Sequence, residues 1–439
     1  MMSNQLSRSI DTKSSAIGVS WTADQYLACI IAFALPIRAP ITGWLTYGLV
    51  ISILILPIVT RSITKSRWGF TFLVLAAFAL LSGWLTREFE EHGSPSLSTS
   101  GQLSVYHVGL IISLTFSVVV AVWICQRVGI RAFLLAWSVG LIVHQSAIGV
   151  FTSENPWKYG LALPVSLILT ILATRTGKTH LVAAFIVLAG ISIAFSYRSW
   201  LAIIAISFGY VIVLYRIGRN HERVTSRSNP ILVGAVFSAA MYGIYLILIQ
   251  LMTSGVLGEY VKSRTLRQER MAGSALIGGR PEWGAAMGLA RENPFGFGLG
   301  VTPTQVELST AIRSLPIGNR RLQEVSNVAN AFRNGEFSFH STFWNFWANY
   351  GIGGAILIGF VIVTLSLLVF KIRDFNHGIG VMLPVVILFL GCIWDSLFSP
   401  SPIAVISAGL AVAIHLTQHR KFDNEGDGYK ENSGKVMGK

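Results

Sequence analysis

The sequence predicts an all-α, polytopic membrane bundle, and three observations carry that prediction. Charged residues are 12% of the 439 positions and hydrophobic residues 52%, whereas soluble domains carry about 25% charged residues. Mean hydropathy is +0.60. Apolar runs of bilayer-spanning length, roughly 20 residues each, follow one another along the chain and are interrupted by one long polar segment. A single polytopic domain over 1–439 is the simplest division.

The apolar runs fall near 22–38, 41–60, 68–86, 104–126, 130–151, 158–174, 179–197, 199–217, 230–252, 341–370, 378–396 and 401–418, which predicts about 12 transmembrane helices. The first two are divided only by Pro36-Ile37-Arg38-Ala39-Pro40, and the seventh and eighth nearly merge around Arg198. Basic residues set the orientation. Arg61, Lys65, Arg67, Arg127, Arg131, Arg175, Lys178, Arg216, Arg219, Arg223, Arg227, Lys371 and Arg373 fall in one set of connections. The opposite short connections hold Arg38, Arg87, Lys158, Arg198 and the acidic run Glu88-Phe89-Glu90-Glu91. Positive charge stays on the cytoplasmic side of short loops, so both termini are expected inside. The segment 253–339, between predicted helices 9 and 10, is then extracytoplasmic, and 420–439 is a polar cytoplasmic tail expected to be disordered.

The net charge of +14 would suggest nucleic acid in a soluble protein, but no aromatic-interleaved basic patch or nucleic-acid motif is present. The excess fits topology and an anionic lipid substrate. Cys29, Cys125 and Cys392 lie inside apolar runs without zinc or disulfide spacing and read as small core residues. The first twenty residues lack an apolar signal core, so the first span is expected to direct insertion itself.

Within the loop, Pro281 opens a short helix that Asn293-Pro294 stops, carrying Trp283, Met287, Leu289 and Ala290 as its apolar residues. Further helices are expected over 303–313 and 320–333. Gly296, Gly298 and Gly300 suggest a nucleotide loop, but no strand precedes them and no Gly-Lys-Ser/Thr follows. Tight turning and close packing are the better reading, as for Gly351, Gly353 and Gly354.

Several residues could carry chemistry. Arg198 opposes the basic-inside trend, and a guanidinium fork clamps phosphate oxygens; the competing reading is a snorkelling interface arginine. Arg280 precedes a proline-started helix, where free N–H groups join its charge to face an anion; otherwise it is a solvated loop cation. His340 stands at the mouth of a span beside Ser341 and Thr342, and imidazoles serve as general bases near neutral pH. It could equally mark the water interface, as is expected of His107 and His415, whereas His144 reads as a core residue. Asp395 lies at a span's outer end, lining a cavity or simply solvated. Trp344 and Trp347 read as interface anchors or as an aromatic shelf for sugar. No metal constellation is evident: His415 and His419 have no carboxylate between them, and the loop carboxylates Glu259, Glu269, Glu282, Glu292, Glu307, Glu324 and Glu336 are scattered singly. That scatter also disfavours two-carboxylate glycosidase chemistry.

Ser196 and Arg198 before a span, Gly279-Arg280 through Trp283, Asn293-Pro294 with Phe295-Gly296-Phe297-Gly298-Leu299-Gly300, and His340-Ser341 leading to Tyr350-Gly351-Ile352-Gly353 occur in that order. Together they resemble the O-antigen ligase and O-antigen (exopolysaccharide) polymerase superfamily of bacterial membrane glycosyltransferases. The motifs cover about a third of the chain, the remaining spans matching only in hydropathy. Tyr197 interrupts the usual Ser-Arg pair, and Trp283 comes one position early.

The resemblance implies a GT-C-like bundle in the bacterial inner membrane that moves a glycan from undecaprenyl diphosphate to an acceptor sugar hydroxyl at the outer leaflet. It implies Arg198 and Arg280 as diphosphate ligands and His340 as catalytic base, with Glu282, Trp283 and Ser341 supporting. Transfer would invert the anomeric centre and need no cofactor and no metal, the guanidinium groups neutralising the leaving diphosphate. The implied partners are the lipid-linked donor, a glycan or lipid acceptor, membrane lipids and other polysaccharide assembly proteins, with no nucleic acid. Ligase and polymerase share this chemistry. A transporter or flippase for a lipid-linked glycan is the alternative; it predicts duplicated broken helices and midplane charges, which the sequence does not show.

Overall fold

The computed structural model describes residues 21–39, 44–64, 66–93, 98–220, 249–256, 258–272, 280–315, 335–372, 378–399 and 402–418, with isolated positions within 243–247 and 328–332. The span expected near 230–252 lies mostly outside the described residues, as do the loop helix expected over 320–333 and the tail 420–439. Helices dominate the rest. They are α1 (Ala23–Ala34), α2 (Tyr47–Thr64), α3 (Arg67–Gly93), α4 (Gly101–Ala147), α5 (Ala162–Thr176), α6 (Lys178–Ala194) and α7 (Arg198–Asn220). Then come α8 (Glu259–Ala272), α9 (Pro281–Glu292), α10 (Gln305–Arg313), α11 (Thr342–Lys371), α12 (Ile379–Phe398) and α13 (Ile403–Gln418).

Among the described residues, six helical runs are long and apolar enough to cross a membrane: Arg67–Phe89, Gly101–Ala147, Trp157–Thr176, Arg198–Arg216, Thr342–Lys371 and Ile379–Phe398. Helices α1, α6 and α13 are apolar but shorter. The protein is therefore an all-α, multi-pass membrane bundle. Helix α4 has 47 residues, a length of about 70 Å that a hydrocarbon core of about 30 Å cannot hold as one crossing. Gly129 breaks it, with φ 78° and ψ 163°, so the two legs run separately and join near Arg127 and Arg131.

In lipid the backbone must satisfy itself and polar side chains need internal partners. Trp200 Nε1 donates to Ser166 Oγ at 3.0 Å, Trp157 Nε1 to Ser192 Oγ at 3.1 Å, and the Tyr350 hydroxyl to the His107 carbonyl at 2.7 Å. These sit in one continuous core that includes Phe72, Phe133, Trp137 and Phe389. Helix α3 packs along α11, α1 along α4, and α12 against α5, α7 and α11. The polar loop has a core of its own, in which Ala285, Leu289, Phe297, Phe337, Phe339 and Trp347 are buried.

Candidate functional site

The loop is fastened to the bundle by its glycines. In α11, Gly351 adopts φ 64° and ψ −154°, which interrupts the helical ladder one turn above it. The carbonyl of Ala348 accepts instead from Phe297 N at 2.9 Å and Gly298 N at 3.0 Å. Leu299 N donates to Gly83 O at 3.0 Å, and Ser100 N to Gly300 O at 2.8 Å. The chain from Gly296 to Gly300 thus threads between α3, the start of α4 and the broken α11. It ends in a two-residue antiparallel ladder, β1 (Ser98–Thr99) against β2 (Val301–Thr302). Gly296, Gly298 and Gly300 all have positive φ, at 82°, 101° and 73°, a region that side chains with a Cβ rarely occupy. A Cβ on Gly298 would also stand 2.4 Å from Arg87 N. These residues serve turning and close approach.

This fastening brings two helix N-termini together. Pro281 opens α9 with Arg280 as its N-cap, and Ser341 caps α11, its Oγ accepting from Trp344 N at 3.4 Å. Glu282, in the first turn of α9, and His340, one residue before the α11 cap, meet there. The distance from Glu282 Oε1 to His340 Nδ1 is 3.5 Å. The Glu282 side chain is 11% exposed and that of His340 56%, so a sheltered carboxylate stands behind an open imidazole. A carboxylate on Nδ1 holds the ring in the tautomer that leaves Nε2 as proton acceptor.

The C-terminal end of α12 forms the floor. Its last carbonyls receive four donors from the loop side: Trp283 Nε1 to Leu397 O at 2.9 Å, Ser341 Oγ to Ser396 O at 3.4 Å, and Thr342 N and Oγ1 to Ser399 O at 3.2 and 3.3 Å. Trp283 also stacks on Phe398, with centroids 5.3 Å apart, and meets Trp344 edge-on at 5.8 Å. Asp395 lies on the last turn of α12, where it and Arg280 attract each other. Both act on Tyr197: burial pushes its phenol up, the negative charge of Asp395 adds to that, and Arg280 pulls it back. Tyr197, Arg280 and Asp395 therefore share one electrostatic neighbourhood.

Arg198 opens α7 directly after Tyr197. Its Nη1 donates to Thr265 Oγ1 at 2.6 Å and contacts Met252 Sδ at 3.7 Å. Those bonds tie it to α8 and the segment before it, at the entrance of the loop, while Glu282 and His340 pair at the loop's far end. Tyr197 bridges the two neighbourhoods in sequence. The turn leading into it is strained: Ser196 has φ 51°, a left-handed conformation uncommon outside glycine and asparagine. Bonds from Ser196 N to Ile193 O at 2.9 Å and Tyr197 N to Ser192 O at 2.8 Å hold it.

Several expectations change. Trp347 is buried, 4% exposed, because its indole donates to the Pro294 carbonyl at 3.1 Å and anchors the Asn293-Pro294 turn. It is part of the loop's core rather than an interface anchor. His107 and His415 are likewise buried, at 3% and 5%, within α4 and α13; the His107 ring packs edge-on against Tyr350 at 5.9 Å. His144 is buried as expected, with Nδ1 accepting from Arg38 N at 3.5 Å. Asp395 is partly exposed at the end of α12, near enough to Arg280 for the two charges to attract. Among the described residues no group of three or more His, Cys, Asp or Glu gathers as metal ligands. No family model, no curated protein and no solved structure matches this chain.

Proposed function

We propose that the chain is a glycosyltransferase of the O-antigen ligase or polysaccharide polymerase type, moving a glycan from undecaprenyl diphosphate to an acceptor sugar hydroxyl without metal and with inversion. In this reading the bundle has about 12 spans, is GT-C-like, and lies in the bacterial inner membrane with both termini cytoplasmic and the site outside. The observation that carries it is the pair of Glu282 Oε1 and His340 Nδ1 at 3.5 Å, set beside Arg280 where two helix N-termini converge.

Each part has a chemical task. The free Nε2 of His340 takes the proton from the acceptor hydroxyl as its oxygen attacks the anomeric carbon, and Glu282 stabilises the imidazolium that results. Arg280 and the N–H groups opening α9 and α11 face the diphosphate, whose charge grows as the glycosyl bond breaks. Asp395 holds Arg280 until the diphosphate competes for it. Arg198 binds the same diphosphate from the α7 side, exchanging its bond to Thr265 for phosphate oxygens.

The test is transfer by purified protein from a glycosylated undecaprenyl diphosphate donor to a sugar acceptor. His340→Ala abolishes turnover while donor binding persists, and Arg280→Lys loses most activity because a point charge does not replace the fork. Turnover retained by His340→Ala overturns the assignment of the base.

A further inference from the structure

Tyr197 joins the two arginines assigned to the diphosphate. Arg198 follows it in the chain, and the charge of Arg280 acts on its phenol across space. It also interrupts the Ser-Arg pair of the motif that the chain resembles, so the resemblance gives it no role.

Packing sets where the ring stands. Tyr197 stacks on Trp200, with centroids 6.0 Å apart and planes at 20°. Trp200 is buried and bonded to Ser166 Oγ, and it lies against Gly391 on α12, where an added Cβ would stand 3.3 Å from the indole. Gly391 and Asp395 are one turn apart on the same face of that helix. Arg280 reaches the same helix through a separate contact: Trp283 N bonds to the Arg280 carbonyl at 3.1 Å, and Trp283 Nε1 bonds to Leu397 O. From Gly391 to Leu397 is about 9 Å of helix, which brings Tyr197, Arg280 and Asp395 together at its end.

The backbone is held to this placement. Ser196 keeps φ 51°, a conformation that persists in a residue with a Cβ only where the surroundings impose it, and such strain collects at functional sites. The Ser199 side chain bonds to the phenol, and the phenol is neutral near pH 7, so its proton is available to donate. A neutral donor thus stands between Arg198, which is bonded on the α8 side, and Arg280 at the start of α9. A single phosphate engages one of these cations. A diphosphate can engage both, passing the phenol on the way.

We infer that Tyr197 is a donor-binding residue that selects a lipid diphosphate over a lipid monophosphate, its hydroxyl donating to an oxygen of the diphosphate held between Arg198 and Arg280. This role rests on the diphosphate donor proposed above and adds the residue that reads its second phosphoryl group.

The experiment titrates the full chain in detergent with undecaprenyl diphosphate and, separately, undecaprenyl monophosphate, measuring both affinities by native mass spectrometry. The wild-type protein binds the diphosphate more tightly. Tyr197→Phe keeps the ring and its stacking, so the unfolding temperature of the lipid-free chain is unchanged. Its diphosphate affinity falls about tenfold, as for a lost hydrogen bond to a charged acceptor, while its monophosphate affinity stays near that of wild type. Ser199→Ala gives a smaller loss of the same selective kind, and it carries the test if Tyr197→Phe does not fold. If wild type prefers the diphosphate and Tyr197→Phe binds it equally well, or loses both lipids alike, the role of Tyr197 is overturned and the diphosphate donor stands. A wild-type chain that binds neither lipid overturns the donor itself, and the role of Tyr197 with it.

Discussion

At the scale of single residues, Glu282 decides whether His340 is a base or a bystander. A buried carboxylate on Nδ1 is useful only if the imidazole becomes charged during turnover, so Glu282→Gln lowers kcat about 10²-fold while leaving KM nearly unchanged; steady-state kinetics on membranes measures both. A second residue gives a pH signature. Burial raises the Glu336 carboxyl above its ordinary range, so the folded state favours its protonated form. Its contribution to stability is complete at pH below the ordinary glutamate value and is lost as pH rises through the raised one. Glu336→Gln therefore raises the unfolding temperature by a few degrees at pH 8 and has no effect near pH 4, since Glu336 is half-buried. Residue chemistry was partly legible: Arg280 stood out before a proline-started helix and His340 at the mouth of a span, whereas Glu282 was one of several scattered carboxylates, marked out only by the family resemblance. Asp395 was noted at a span's outer end, but its attraction to Arg280 was not, because Arg280 comes from a loop far back in the chain and only the fold joins them.

At the scale of elements, the glycine thread through 296–300 fixes the loop on the bundle, and its energetics are steric. Gly298→Ala puts a Cβ 2.4 Å from Arg87 N and 2.8 Å from Gly83 O at φ 101°. Neither neighbour is a flexible side-chain end, so the segment must shift, at a cost of about 2 kcal/mol or more. Because Phe297, next to Gly298, packs against Trp347, whose indole holds the Pro294 carbonyl, that shift also moves Pro294 and the α9 stop. Thermal unfolding and transfer assays on Gly298→Ala should fall together, whereas a loop merely resting on the bundle would leave both unchanged. Element ends were readable where local chemistry fixes them: Pro281 and Asn293 bound α9 as their residue types predict. The break at Gly351 was not, since glycine in an apolar helix signals close packing as readily as a kink, and the bonds that require the kink come from residues elsewhere in sequence.

At the scale of the whole molecule, hydropathy alone announced a membrane bundle, because lipid imposes one condition on every span. The arrangement of the spans depends on contacts between distant helices, such as α3 with α11 and α1 with α4, which no local pattern encodes. The same gap separates ligase from polymerase. In the proposed reaction both would use an attacking hydroxyl at His340 and a diphosphate at Arg280, and they would differ only in what carries the hydroxyl. A polymerase must admit a second lipid-linked repeat unit, so both substrates enter from the membrane; a ligase must admit a finished polymer on the donor side and a separate anchor on the other. Loss of the gene distinguishes them by what accumulates. Single repeat units on undecaprenyl diphosphate mark a polymerase, and full-length polymer still on that lipid marks a ligase. If lipid-linked intermediates match those of the parent strain in number and length, the glycosyltransferase reading fails, since either activity would leave its donor unconsumed.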